Sequence, residues 1–65
     1  MKKQARIRYD EFEGQEYCII ETLDNDNTWN IMVEYPFYHN DYLPHTIFNS
    51  IFSLLIQGYT ITDER

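Results

Sequence analysis

The stretch ARIRYDEFEGQEYCIIETL, residues 5–23, decides how this chain folds. Over residues 5–12 the side chains alternate: Ala5, Ile7 and Tyr9 point one way, Arg6, Arg8 and Asp10 the other. That period of two marks a half-buried β-strand. Glu13-Gly14-Gln15 supplies a tight turn, because Gly14 takes a positive φ without a Cβ clash. Residues 17–23 are rich in β-forming types and read as the second strand of a hairpin. Cys18, Ile19 and Ile20 are consecutive apolar residues, so both sides of that strand are expected to pack against something.

Downstream, Asp24-Asn25-Asp26-Asn27 is a turn signal, since these side chains bond to nearby backbone and tolerate left-handed conformations. Residues 28–35 alternate again, with Trp29, Ile31, Val33 and Tyr35 on one face, and predict a third strand ended by Pro36. Residues 37–43 read as an aromatic, ordered loop. Pro44 suits the first turn of a helix. Apolar residues follow at 47, 48, 51, 52, 54, 55 and 56, while Thr46, Asn49, Ser50, Ser53 and Gln57 make the polar stripe. The apolar arc spans roughly 200°, about twice what one buried face needs. Gly58 is placed to cap the helix, and residues 59–62 predict a short fourth strand. The expected fold is therefore α+β: one domain over residues 1–65, with a small antiparallel sheet in β-β-β-α-β order and one helix on one face.

A chain of 65 residues leaves little margin. A core of this size supplies about 3–5 kcal/mol, and small domains commonly add disulfides, metal or a second subunit. Cys18 is the only cysteine, which rules out an internal disulfide and fits a reducing, cytoplasmic setting. Polar residues interrupt any apolar core after Met1-Lys2-Lys3, so no targeting segment is expected. The run at residues 47–56 is too short and too polar to span a bilayer, and no membrane partner is expected. Residues 42–62 carry no formal charge, whereas a surface helix normally carries charge on its outer side. The leftover flank, with Phe52 and Ile56, is the expected interface of a homodimer. The competing expectation is that the loop at residues 37–43 covers that flank within one chain.

Charge narrows the function further. Four of the five basic residues lie in residues 2–8 and the fifth is Arg65. All eleven acids fall between Tyr9 and Glu64, a span with no Lys or Arg. Such a body repels nucleic acid and anionic membrane and speeds encounter with basic partners. It also lacks a cation to stabilise a developing negative charge, so no enzymatic activity is expected. His39 and His45 flank Asp41, but their spacing fits no metal motif and Pro44 separates them. The Asp24–Asn27 run lacks the glycine and the bidentate acid of a calcium loop, where Tyr35 falls at the twelfth position. Cys18, in mid-strand, reads as a buried hydrophobe and not as a reactive thiol. No cofactor is expected. Tyr9, Tyr17, Trp29, Tyr35, Phe37, Tyr38, Tyr42 and Tyr59 sit mostly among acids, which suits a protein interface better than base stacking.

These features predict a non-enzymatic acidic binding protein, foremost a nucleic-acid mimic that occupies the cationic groove of a DNA- or RNA-binding protein. Acids at alternate strand positions lie about 6.6–6.8 Å apart on one face, a spacing expected to follow polynucleotide phosphates. The candidate surface comprises Asp10, Glu11, Glu13, Glu16, Glu21, Asp24, Asp26, Glu34 and Asp41. In size and charge the chain resembles the small acidic inhibitors that bacteriophages encode against host DNA-binding proteins. That resemblance implies action in the host cytoplasm on a histone-like nucleoid protein, nuclease, repair glycosylase or polymerase subunit. Members of that class share no common fold, so it assigns no residue. The alternative expectation is a structural or interaction subunit that meets a protein through the apolar helix flank and the aromatic loop. The basic arm of Lys2, Lys3, Arg6 and Arg8 has two expected uses, binding nucleic acid itself or pairing with the acidic surface of a second subunit, and charge balance favours the second.

Overall fold

The computed structural model describes residues 3–37 and 45–65. The chain runs β1 (Gln4–Phe12), β2 (Gln15–Leu23), β3 (Trp29–Phe37), α1 (His45–Ile56) and β4 (Thr60–Asp63). The α+β class and the β-β-β-α-β order are as the sequence predicts. The strands lie side by side as β3-β2-β1-β4. The first three form an antiparallel meander, but β4 joins β1 in parallel, so the sheet is mixed. Two antiparallel steps make β3 run the same way as β1. The helix then carries the chain from one edge of the sheet to the other, the long crossover that parallel pairing requires.

Local chemistry explains each corner. Glu13 and Gly14 have φ of 52° and 80°, two successive positive values that make a two-residue type I′ turn between β1 and β2. Glycine tolerates this; glutamate is strained by it. Glu13→Asn is expected to stabilise the fold by about 0.5–1 kcal/mol, read as a rise in thermal midpoint. An unchanged or lowered midpoint would contradict that account of the turn.

Between β2 and β3, Asp24 organises the loop. Its Oδ1 accepts from the Asp26 N–H at 2.9 Å and the Thr28 N–H at 3.0 Å, and its Oδ2 from Asn30 Nδ2 at 2.9 Å. Asn27 takes the left-handed conformation, φ 61°. At the end of α1, the Tyr59 N–H donates to the Leu54 carbonyl and the Gly58 N–H to that of Leu55, both at 3.0 Å. With Gly58 at φ 90°, this is a Schellman cap, and Tyr59 packs against the cluster that contains Leu54. Lys3 Nζ donates to the Gln57 carbonyl at 3.1 Å, adding a cation to the negative end of the helix.

The core lies between α1 and one face of the sheet: Ala5, Ile7, Cys18, Ile20, Ile47 and Leu54, with Val33, Ile51, Tyr59 and Ile61 around them. Ile20 and Ile47 are both 0% exposed. Two sequence expectations need correction at β3. The strand continues through Pro36, because β3 is an edge strand, where a missing N–H is tolerated. Its side chains also fail to keep one face. Ile20 pairs with Val33, but Glu21 pairs with Ile31, so Met32 has no opposite residue. This bulge turns Trp29 and Ile31 to the face away from the helix, while Val33 stays on the core side.

Among the described residues, no helix is long and apolar enough to cross a membrane. Tyr38, His39, Asn40, Asp41, Tyr42, Leu43 and Pro44 lie outside the described residues, and with them most of the expected aromatic loop.

Candidate protein-binding surfaces

Three surfaces carry the polar and exposed apolar residues that a partner would meet. The first is the sheet face opposite α1. Pairing sets its side chains in rungs: Asp10, Tyr17 and Pro36; then Arg8, Ile19 and Glu34; then Arg6, Glu21 and Ile31. Glu21 lies at its centre, only 5% exposed. Its Oε1 accepts from Arg6 Nε at 2.8 Å and from Arg8 Nε at 2.7 Å. Arg8 also donates through Nη1 to Asp10 Oδ2 at 3.1 Å. The Arg6 guanidinium in turn lies over the Trp29 ring, 4.2 Å from its centroid.

These contacts set the charges. The Arg8 hydrogen bond, opposed by burial and helped by Arg6, holds the Glu21 carboxyl below the usual carboxylate range. Arg8 lowers Asp10 likewise, aided by the Glu11 N–H, and Glu21 and Asp10 together raise Arg8. At the end of β4 the Arg65 guanidinium meets Asp63 at 2.6 Å and draws that carboxyl down to about 2.

Beside this network, Arg8, Asp10, Phe12, Tyr17, Ile19, Ile31 and Glu34 line a groove of 290 Å³. Ile19 forms its floor and is nearly buried, so β2 is packed on both faces as its apolar run predicts. Glu34 is exposed, and among the described residues no cation pairs with it.

The second surface, the expected acidic one, proves discontinuous. Glu21 is neutralised by two arginines and is not available as a phosphate-like charge. Asp24 is exposed, yet its carboxylate is held by the loop it builds; the Asn30 side chain and the Thr28 and Asp26 N–H groups lower its pKa. Glu11 and Glu16 face each other across β1 and β2, with Glu13 in the adjoining turn. Asp24 and Asp26 sit at the opposite end of β2, roughly 25–30 Å away along a nine-residue strand. Asp10 and Glu34 occupy the open face. Asp41 lies outside the described residues. The carboxylates thus divide between two ends and two faces, because loops collect acids wherever they turn.

Within the basic arm, Arg6 and Arg8 pair with Glu21 of their own chain, brought to it by the hairpin register; Lys2 lies outside the described residues.

The third surface is the outside of α1. Ile47 and Leu54 face the core, while Phe48, Phe52, Leu55 and Ile56 are exposed, Phe52 at 64% and Ile56 at 84%. Ser50 Oγ donates to the Thr46 carbonyl and Gln57 to Ser53 Oγ, so the helix polar groups satisfy each other locally. No charged side chain occurs on it.

Chemistry-bearing groups are sparse. Cys18 is fully buried, and burial pushes its thiol pKa up, away from the reactive thiolate. Among the described residues no three His, Cys, Asp or Glu side chains gather where a metal ion would fit. No family model, curated protein or solved structure matches the chain.

Sequence reasoning missed the groove. Its one legible trace was the apolar Ile19 between Cys18 and Ile20, which required cover on the second face. The bulge that brings Ile31 to the same face leaves no mark in the period of residues 28–35.

Proposed function

We propose that the protein is a non-catalytic binding module that pairs with a second copy through the outer face of α1 and offers acidic surface to a basic protein. The exposed Phe48, Phe52, Leu55 and Ile56, on a helix without a single charge, carry this reading. An apolar patch of this kind is stable in water when another surface covers it. Charge favours a second copy as the cover. Two chains of net charge −6 repel wherever their acids meet, and the helix is where close approach brings no like charges together. A basic partner, in contrast, gains nothing electrostatically from a helix that has no acids.

Sedimentation equilibrium tests the pairing. The wild type is expected to dimerise, and Phe52→Glu with Ile56→Glu to weaken the dimer at least about tenfold. Both side chains are exposed, so the variant should keep its circular dichroism. A wild type that stays monomeric at the highest concentration would remove the reading.

A polynucleotide decoy is the second reading, favoured by Asp10, Glu11, Glu13 and Glu16 clustering at the hairpin end. The partner would then be a nucleic-acid-binding protein with a cationic groove at least as wide as that end. Competition separates the two readings: both contacts with a basic protein weaken as salt rises, but only a decoy is displaced by DNA.

A further inference from the structure

We infer that the groove over Ile19 receives an arginine side chain of the basic partner; this rests on the acidic-surface reading just proposed and gives it one defined contact. The groove has the composition that a guanidinium needs. Its floor is the aliphatic Ile19, its apolar walls are Ile31, Phe12 and Tyr17, and carboxylates stand at Asp10 and Glu34. A guanidinium is planar and weakly hydrated, lies flat on aromatic or aliphatic surface, and donates two parallel N–H bonds to one carboxylate.

The electrostatics select a cation over an anion. Arg8 also lines the groove, yet its Nε and Nη1 are bonded to Glu21 and Asp10. That arginine is therefore a neutralised wall and has little left to hold an incoming anion. Glu34 stands on the same rung as Arg8, with Ile19 between them. The two outer strands of that rung are about 10 Å apart, the room for one flat group between their side chains. Glu34 is exposed and pairs with no cation among the described residues, so it is the acceptor that remains. The volume of 290 Å³ lies at the lower end for ligand pockets, which suits a single long side chain. The molecule already uses this geometry next door, where the Arg6 guanidinium sits on Trp29 and bonds Glu21.

The test is a titration of isotope-labelled full-length protein, followed by amide NMR shifts. The probes are acetyl-Gly-Arg-Gly-amide, its lysine counterpart, and its citrulline counterpart, which keeps the shape without the charge. Expected are saturable shifts confined to Phe12, Tyr17, Ile19, Ile31 and Glu34, with an arginine Kd on the order of millimolar. Lysine should bind several-fold more weakly and citrulline not measurably. Glu34→Gln should weaken arginine binding about three- to fivefold, while Asp26→Asn, at the far end of the sheet, should leave it unchanged. Shifts spread over Glu11, Glu13 and Asp26, or indifference to Glu34→Gln, would overturn the groove assignment. A hexa-arginine peptide separates that failure from failure of the parent reading. If it binds the hairpin end while the groove stays silent, only the groove is refuted; if neither peptide binds, the acidic-surface reading falls as well.

Discussion

Ile20→Ala is expected to bring the fold to the edge of unfolding at 25 °C. Ile20 sits on the central rung between Ile7 and Val33, fully buried, in the cluster that contains Ile47 and Leu54 of α1. Removing three carbons there forfeits their transfer free energy and leaves a cavity that rigid strands on both sides cannot close. Such truncations cost about 2–5 kcal/mol, against a total of about 3–5 kcal/mol for a chain of this size. Denaturant unfolding followed by circular dichroism reads the loss, at low concentration so that self-association does not mask it. Ile19→Ala is the informative comparison. Ile19 is 3% exposed, yet it lies under the side chains of an open groove that can relax into the space. Its loss should be about 1–2 kcal/mol. Equal losses at the two positions would mean that the helix side is not the main core.

The second large effect belongs to Glu21. Glu21→Ala removes the carboxylate that holds Arg6 and Arg8, two like charges two residues apart on the same face of β1. Breaking a fully buried pair costs about 3–5 kcal/mol. Here the arginine side chains remain 24% and 29% exposed, so water compensates part of the loss and about 2 kcal/mol is expected. The Arg6 stack on Trp29 should loosen with it, visible as a change in tryptophan fluorescence. The same contact predicts a pH dependence. Because the folded-state pKa of Glu21 is lowered, its contribution is fully present above the unfolded carboxyl value, about 4.3. It is lost as pH falls through the lower folded value. Asp10, Asp24 and Asp63 are lowered too and add to the acid loss. Glu21→Gln should therefore narrow the stability difference between pH 7 and pH 3 without abolishing it. Were that difference the same in wild type and variant, the ion-paired role of Glu21 would be wrong.

These two positions bear on the surfaces as well. Glu21 neutralises the middle of the open face, which leaves Glu34 as an acceptor beside a satisfied Arg8. An acidic protein thus keeps a charge-balanced centre, with its remaining acids at the loops and edges. The charge-free helix then lies on the other side of the sheet from the groove, so self-association and capture of a cation do not compete for the same face.

The residues alone determined the elements. Alternation over residues 5–12, the Glu13-Gly14 turn, the Asp24–Asn27 turn, the apolar period of residues 47–56 and Gly58 each act within a few positions. The forces that read them, backbone sterics and side-chain bonds to nearby backbone, are local. The charge-free helix with Phe52 and Ile56 to spare was legible for the same reason: a 3.6-residue period shows how much apolar arc exceeds one buried face. Tertiary structure decided the rest. The parallel entry of β4 follows from the strand that α1 starts on and the edge it reaches. The bulge at Met32 moved Trp29 and Ile31 across the sheet, because facing is set by pairing with β2 and a one-residue slip reverses every side chain on one side of it. Pro36 stayed within a strand only because β3 ended up at an edge. Glu21 became an internal counter-ion, where a list of acids reads it as surface charge, since Arg6 and Arg8 reach it across fifteen and thirteen residues of chain. Whether a carboxylate faces a partner depends on what stands opposite it, and that is a property of register, which no local pattern encodes.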